Sequence, residues 1–392
     1  MQKTDEQKIK EVLTRGVEEV IIKSDLEEKL LSGKRLKVYY GIDPTGSYLH
    51  LGHAVVLWKL KDFQDLGHEV ILLIGDFTAK IGDPTGRDIM RTPLTDKQIK
   101  ENMKDYKKQA SKILDFSKVK IKHNSQWLSK LKFNDILKIS SYFTVQQMLH
   151  RDMFDKKIKE NTPISLQEFM YPLMQGYDSV AMDVDLEIAG SDQMFNMLAG
   201  RILQKIYHKK DKNILTTKIL LGTDGRKMSK TYNNAIYLND SAKDMYGKIM
   251  SINDEMIGDY IELCLSPIGN QQRLWETFAN PRDRKAGLAK EITGLYHGEK
   301  EAQKAEDEFN KTFRDKKPTF IEFSVDEIQI FYPELISRIA GVTTSEAKRL
   351  IIAGAVEING VVDKEWKKEI DIDENGVEIK VGKRDFIKVK LN

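Results

Sequence analysis

Two pairs of side chains frame the chemistry open to this chain. His50 and His53 close the stretch Val38-Tyr39-Tyr40-Gly41-Ile42-Asp43-Pro44-Thr45-Gly46-Ser47-Tyr48-Leu49-His50-Leu51-Gly52-His53. A helix N-terminus presents free N–H groups and the positive end of its dipole, so the end of this stretch suits an anion. Histidines three apart share one helical face and can reach one ligand. The second pair, Lys227 and Lys230, lies in Gly222-Thr223-Asp224-Gly225-Arg226-Lys227-Met228-Ser229-Lys230-Thr231. Two lysines on a glycine-rich loop with flanking hydroxyls can close over a polyphosphate as point charges. Taken singly, the two segments also suit an ordinary βα turn and an exposed basic loop.

Three more groups carry polar chemistry. Asp76 to Arg87 holds Ile81-Gly82-Asp83-Pro84-Thr85-Gly86, where Asp83 can anchor a cation and Arg87, with Arg91, can meet phosphate. Tyr171, Gln175 and Asp178 are spaced four and three apart, a polar stripe on one helix face that suits an amine or a hydroxyl. Gly190-Ser191-Asp192-Gln193 follows an alternating run, and Asp192 can bind ribose hydroxyls as acidic residues do after sheet strands. Neither G-x-x-x-x-G-K-[ST] nor G-x-G-x-x-G occurs in these loops, so a nucleotide would be held by another device.

The elements that must position these groups follow from pattern. Val38 to Gly41 reads as a strand, and Ala54 to Leu66 as a helix. Glu69 to Gly75 is almost continuously apolar, as a strand covered on both faces should be. Two strands joined by a helix predict a right-handed parallel βαβ unit. Residues 5–31 read as one helix, 95–114 as a helix capped by Thr95, and 118–151 as a mostly helical insertion. Residues 184–188 read as a strand, and 240–312 as a run of helices. The charged run Arg314-Asp315-Lys316-Lys317-Pro318 marks a linker over 313–332.

Composition bounds the rest. The chain has 392 residues, 40% of them hydrophobic, enough for two or three cored domains. The net charge of +3 excludes a uniformly basic nucleic-acid protein, so any RNA surface must be a local cluster. A single cysteine, Cys264, excludes an internal disulfide and a multi-cysteine zinc site. No secretory signal or membrane span is expected, and the cytoplasm is the expected compartment.

Together the motifs are more specific than apart. His50-Leu51-Gly52-His53 and Lys227-Met228-Ser229-Lys230-Thr231 resemble the HIGH and KMSKS signatures of class I aminoacyl-tRNA synthetases. Leu51 stands where the first carries isoleucine, and Thr231 where the second ends in serine. The flanks, Gly41 to Thr45, Ile81 to Gly86, the Tyr171/Gln175/Asp178 stripe and Gly190 to Gln193, resemble the bacterial-type tyrosyl-tRNA synthetases in content and order.

That resemblance implies an α/β fold: a Rossmann-like parallel-sheet catalytic domain over 1–225, with a dimer-forming helical insertion near 118–165. It implies the KMSKS loop and a helical anticodon-side domain over 226–312. A small α+β RNA-binding domain of the ribosomal-protein-S-four type would then occupy 333–392. It implies activation of L-tyrosine by ATP and transfer to tRNA(Tyr), with Mg2+ accompanying ATP, no dedicated protein metal cage and a homodimer. Thr45, His50, His53, Lys227, Lys230 and Thr231 are the implied catalytic groups. Gly41, Asp43, His50, His53, Gly190, Asp192, Gln193 and Lys230 would hold ATP and adenylate. Tyr39 and Asp178 would meet the substrate phenol, and Asp83, Tyr171 and Gln175 its ammonium group. Lys348 and Arg349, with Lys380, Lys383, Arg384, Lys388 and Lys390, would track RNA phosphates. A tryptophanyl enzyme of the same fold and a synthetase-derived RNA-binding factor without aminoacylation are the alternatives.

Overall fold

The computed structural model describes residues 6–85, 94–149, 152–265, 273–314, 320–382 and 385–392. Arg87, Arg91, Asp315 to Pro318, Lys383 and Arg384 lie outside the described residues. The chain divides into two compact units, residues 1–241 with 248–296, and residues 242–247 with 297–392.

The first unit is built on a six-stranded sheet. Its strands are β1 (Val17–Ile21), β2 (Lys37–Ile42), β3 (Glu69–Ile74), β4 (Val119–His123), β5 (Leu186–Gly190) and β6 (Asn213–Thr217), in the order β1-β6-β5-β2-β3-β4. All neighbours are parallel except β1, which pairs antiparallel with β6 at one edge. The central strands are buried along nearly their whole length, which fits the almost continuous apolar run of β3. The order reverses between β2 and β5. In open sheets of this kind the crevice at such a reversal, beyond the carboxyl ends of the strands, is where ligands gather.

Several local expectations change. Residues 5–31 are not one helix but a helix (Glu6–Val12), strand β1 and a second helix (Lys23–Leu31). Gly16, at φ +61°, turns the chain, and a Cβ there would press on Leu263. Val17 to Ile21 then pair with β6, so their apolar residues serve a sheet edge instead of a helix face. Residues 95–114 form two short helices, Asp96–Met103 and Tyr106–Ala110, the first capped as expected by Thr95. Residues 118–165 are not wholly an insertion, because Val119–His123 is β4, paired in register with β3. The chain beyond 225 remains part of the first unit: Leu51 N–H donates to Ile236 O, and Leu238 N–H to Leu49 O.

The second unit contains the Glu299–Phe313 helix and a five-stranded sheet ordered β10-β9-β12-β13-β7, with a two-stranded β8–β11 ribbon. Here β7 is Ile321–Val325, β8 Gln329–Phe331, β9 Val356–Ile358, β10 Val361–Val362, β11 Glu369–Asp371, β12 Val377–Val381 and β13 Asp385–Leu391. Part of the expected 313–332 linker is therefore folded. Ile321 to Val325 pair parallel with Ile387 to Leu391, and Val325 enters the local core. The helices Tyr332–Ala340 and Thr344–Ile352 pack on that core through Leu335, Ile336, Ala347 and Ile351.

Candidate active site

A cavity of about 790 Å³ opens in the first unit beyond the ends of β2, β3, β5 and β6. Every residue nominated above for catalysis, for tyrosine or for ATP lines it. The cavity thus brings together segments nearly two hundred positions apart in sequence, and each is placed by identifiable contacts.

The turn after β2 is held from below and from the side. Asp43 accepts from the Thr78 hydroxyl at 2.7 Å and from the Tyr171 hydroxyl at 2.9 Å. Gly75 lies so close that a Cβ would collide with the Asp43 carboxylate. The helix pair 96–110 clamps the rest: Asn102 donates to Pro44 O, Tyr106 to Gly46 O, and Gln109 to Ser47 O. His50 is the N-cap of the Leu51–Asp65 helix, and its N–H donates to His53 Nδ1 at 3.2 Å. The two imidazoles lie 3.8 Å apart, centroid to centroid. Burial lowers both pKa values, His50 well below the usual range and His53 to about 4, and the nearby Lys227 charge acts the same way. Both rings are neutral near pH 7 and act as hydrogen-bonding groups, not cations. The buried His50 Nδ1 has no hydrogen-bond partner among the described residues.

The lysine loop lies over this turn. Lys227 Nζ pairs with Asp192 at 2.7 Å. Asp192 also accepts from Gln193, whose amide donates to Asp83 at 2.7 Å. A Cβ at Gly46 would lie 3.5 Å from Lys230 Cδ, so the second lysine rests against the first turn. The loop is organised by buried Asn234, which accepts from Ser229 N–H and donates to Asp224 and to the Arg226 and Lys227 carbonyls.

The other end of the cavity is polar and its side chains are largely buried. The Leu166–Met182 helix, capped by Ser165 and Glu168, carries Tyr171, Gln175 and Asp178 on one face. Asp178 is 2% exposed and accepts from Trp127 Nε1 at 2.8 Å and Asn124 Nδ2 at 3.2 Å. Burial drives its pKa well up; those two N–H groups oppose the rise, and Asp43 and Glu187 add to it. Tyr39 and Tyr40 leave β2 on opposite faces. Tyr39 lies near Asp178 and Glu187, and Tyr40 near Asp192 and Tyr106. Tyr39, whose ring lines the cavity, is buried and its hydroxyl is bonded to Ser179 Oγ at 2.9 Å. Sequence reasoning did not single out Asn124, Trp127, Thr78, Ser179, Glu187, Lys212 or Asn234. Thr78 and Glu187 lie in stretches named above without belonging to a motif, the others lie outside the motif stretches, and only three-dimensional proximity marks them.

In the second unit Lys348 is not freely exposed: its ammonium sits 3.5 Å from the centroid of the Trp366 ring. Lys380, Lys388 and Lys390 are in ion pairs with Glu357, Glu378 and Glu322. Arg349 is exposed. No helix among the described residues is long and apolar enough to cross a membrane.

A parallel sheet with a ligand crevice at its reversal, lined by paired histidines and paired lysines, defines a nucleotide-using α/β enzyme. Residues 31–314 match the family tRNA synthetases class I (W and Y), and the chain belongs to that family. The tyrosine–tRNA ligase of Carboxydothermus hydrogenoformans is 46% identical to it, over 97% of each chain. That of Thermotoga maritima is 44% identical over 98% of each. Among solved structures, the Archaeoglobus fulgidus tyrosyl-tRNA synthetase complexed with L-tyrosine superposes with a TM-score of 0.61 at 24% identity. The match covers 77% of this chain and 100% of that one. At that identity the likeness is one of fold.

Proposed function

We infer that the chain is a tyrosine–tRNA ligase: it activates L-tyrosine with ATP and transfers it to tRNA(Tyr). The observation that carries this is a single cavity with two chemically different ends. One end gathers two lysines and two neutral imidazoles; the other gathers a buried carboxylate and an amide-and-phenol stripe.

In the first step the tyrosine carboxylate oxygen attacks the α-phosphorus, and pyrophosphate leaves with the electrons of the broken P–O bond. The substrate is its own nucleophile, so the chain positions two anions and stabilises charge on phosphorus and leaving group. Thr45, His50, Lys227, Lys230 and Thr231 take that role, His53 supports ATP, and Mg2+ arrives with the triphosphate as part of the substrate. Gly41, Asp43, Gly190, Asp192 and Gln193 hold nucleotide and adenylate. Asp83, Tyr171 and Gln175 hold the ammonium group. Tyr39 and Asp178 read the phenol, with Asn124 and Trp127 supporting Asp178. Because a polar pocket without its hydroxyl leaves buried groups unpaired, phenylalanine is penalised; this family is the standard example of that logic. In the second step a ribose hydroxyl of the 3′-terminal adenosine attacks the adenylate carbonyl, and AMP leaves.

We further propose an anticodon-side role for the helices of 226–312 and an S-four-type RNA-binding role for 333–392, with Lys348 and Arg349 at its surface. The exposed side chains of Phe133, Leu137, Val145, Ile158 and Leu166 support a homodimer formed through 118–165; sedimentation of a fully active monomer would refute it. The expected compartment is the cytoplasm. ATP–pyrophosphate exchange with each amino acid tests the central reading. Exchange driven by tyrosine is expected, and exchange driven by tryptophan instead would reject it.

A further inference from the structure

Under Gln175 lies a second layer of charge, sealed from water. Glu187 is 3% exposed, Lys212 0%, and the two form an ion pair. Removing both charges from water is expensive, and well-packed apolar side chains often serve stability as well. Folding alone therefore does not account for the pair, but its connections do. Glu187 lies on β5 directly beside Tyr39 of β2. One of its oxygens accepts from Lys212, and the other accepts from Gln175 Nε2 at 3.3 Å. Lys212 Nζ also donates to Ser179 Oγ at 2.9 Å, and Ser179 bonds the Tyr39 hydroxyl. Gly200 leaves the space: a Cβ there would lie 2.6 Å from Lys212 Nζ. With its amino group engaged by Glu187, the Gln175 amide is left with Oε1, which is buried and has no hydrogen-bond partner among the described residues. Gln175 lines the cavity, and an unsatisfied acceptor there marks the place of a missing donor.

We propose that Glu187 and Lys212 are positioning residues for the amino-acid subsite: their ion pair fixes the Gln175 amide so that Oε1 accepts a hydrogen bond from the substrate ammonium group. This rests on the tyrosine-ligase reading and deepens it. The Lys212 ammonium is the counter-charge of the Glu187 carboxylate, and a carboxylate only accepts, so Gln175 can offer it only N–H. A protonated Glu187 would instead donate its O–H to Gln175 Oε1 and compete with the substrate. The other groups facing the pair are Asp178 from the Leu166–Met182 helix, Arg201 from the Met194–His208 helix and Tyr39 from β2; Asp43 acts on Asp178 in turn. Burial pulls the Lys212 pKa down, while Glu187 and Asp178 favour its charged form.

The test is ATP–pyrophosphate exchange by the full chain from about pH 6 to about pH 9, comparing wild type, Lys212→Met and Lys212→Met/Glu187→Gln. In Lys212→Met, the buried Glu187 carboxylate loses its counter-charge, which favours its neutral form. KM for tyrosine then climbs as pH falls, about 10-fold or more across a new ionisation, with KM for ATP within about 2-fold of wild type. The double variant cannot protonate at position 187. It is expected to return KM for tyrosine to within about 5-fold of wild type and to remove the added ionisation. A Lys212→Met profile that matches wild type overturns the proposal, as does a double variant that keeps the new ionisation. If Lys212→Met does not fold, Gly200→Ala disturbs the same pair with both charges retained; an unchanged KM for tyrosine in that variant overturns the proposal. A wild-type chain without tyrosine-dependent exchange overturns the ligase reading and this inference with it, whereas an active wild type with an unresponsive variant overturns the inference alone.

Discussion

Asn234 offers the sharpest test of how the lysine loop works. Its side chain is 2% exposed and makes four hydrogen bonds within the loop. The two shortest are Ser229 N–H to Oδ1 at 2.8 Å and Nδ2 to the Asp224 carboxylate at 2.6 Å. A neutral hydrogen bond contributes about 1 kcal/mol net, and one to a charged group about 1.5 to 3 kcal/mol. Asp224 is partly exposed, so water recovers some of the second. Asn234→Ala is therefore expected to cost about 2 kcal/mol of loop order. If that order is needed when charge builds on the phosphates, the rate of adenylate formation falls about 30-fold. The tyrosine end of the cavity stands on other elements, so KM for tyrosine should stay within about 2-fold of wild type. Asn234→Asp should lose at least as much, because it sets a carboxylate beside Asp224, whose pKa the Asn234 amide holds down to about 2. Single-turnover adenylate formation, with ATP and tyrosine varied in turn, reads both quantities. A loss below about 3-fold, or an equal loss in tyrosine affinity, would refute the claim that Asn234 sets the lysines for the ATP step.

Asp178→Asn leaves one of two buried N–H donors, Trp127 or Asn124, facing an amide N–H, and about 1 to 3 kcal/mol of lost satisfaction is expected. Exchange kinetics should show KM for tyrosine rising about 10- to 100-fold with weaker discrimination against phenylalanine, and undiminished discrimination would count against Asp178 as the phenol reader. His53 has a folded-state pKa of about 4, below its usual 6.5. The unfolded chain thus binds more protons between those values, so the stability gained from the neutral ring is full above about pH 6.5, declines as pH falls and is gone below about pH 4. The ring is partly exposed, which limits the loss to about 1 to 2 kcal/mol; urea titrations of wild type and His53→Gln should differ in slope across that window, and parallel curves would disprove the assignment. Arg349→Gln should weaken tRNA binding and lower its salt dependence by about one counterion while leaving pyrophosphate exchange unchanged, and an unaltered salt slope would remove Arg349 from the RNA surface.

Much of the site was legible because its chemistry sits in short contiguous stretches. Gly41 to His53 is strand, turn and helix start in one run, and its glycine and proline punctuate it where the backbone turns. The Tyr171/Gln175/Asp178 stripe follows from helical spacing once a helix is granted, and the helix runs unbroken through it. The residues that hold those side chains in place were not legible. Asn124 and Trp127 reach Asp178 from the far side of β4, more than fifty positions away, and no local period encodes such a contact. The Glu6–Leu31 segment misled for a related reason. Val17, Val20 and Ile21 fit a helical interval, but pairing with β6 satisfied their backbone and overrode the local preference. In the second unit, the alternation Ile321, Phe323, Val325 was hidden by the charged run before it and acquires meaning only beside β13.

The electrostatics of the cavity assign the histidines and lysines different work. Both imidazoles are kept neutral by burial and by the nearby Lys227 charge, so neither carries positive charge near pH 7. They offer fixed hydrogen-bonding atoms, and the unpartnered His50 Nδ1 shows that at least one of these is not consumed by the fold. The cationic charge comes from Lys227 and Lys230, which belong to a loop tied together by Asn234 and not to the sheet. Lys227 is already engaged by Asp192, and Asp192 is the side chain proposed for the nucleotide. On the proposed function, a ribose hydroxyl that bonds Asp192 would compete for the partner of Lys227 and leave its ammonium group to phosphate. Nucleotide binding and loop charge would then be coupled through one carboxylate, and Lys227 is expected to become available to phosphate as the nucleotide takes up Asp192.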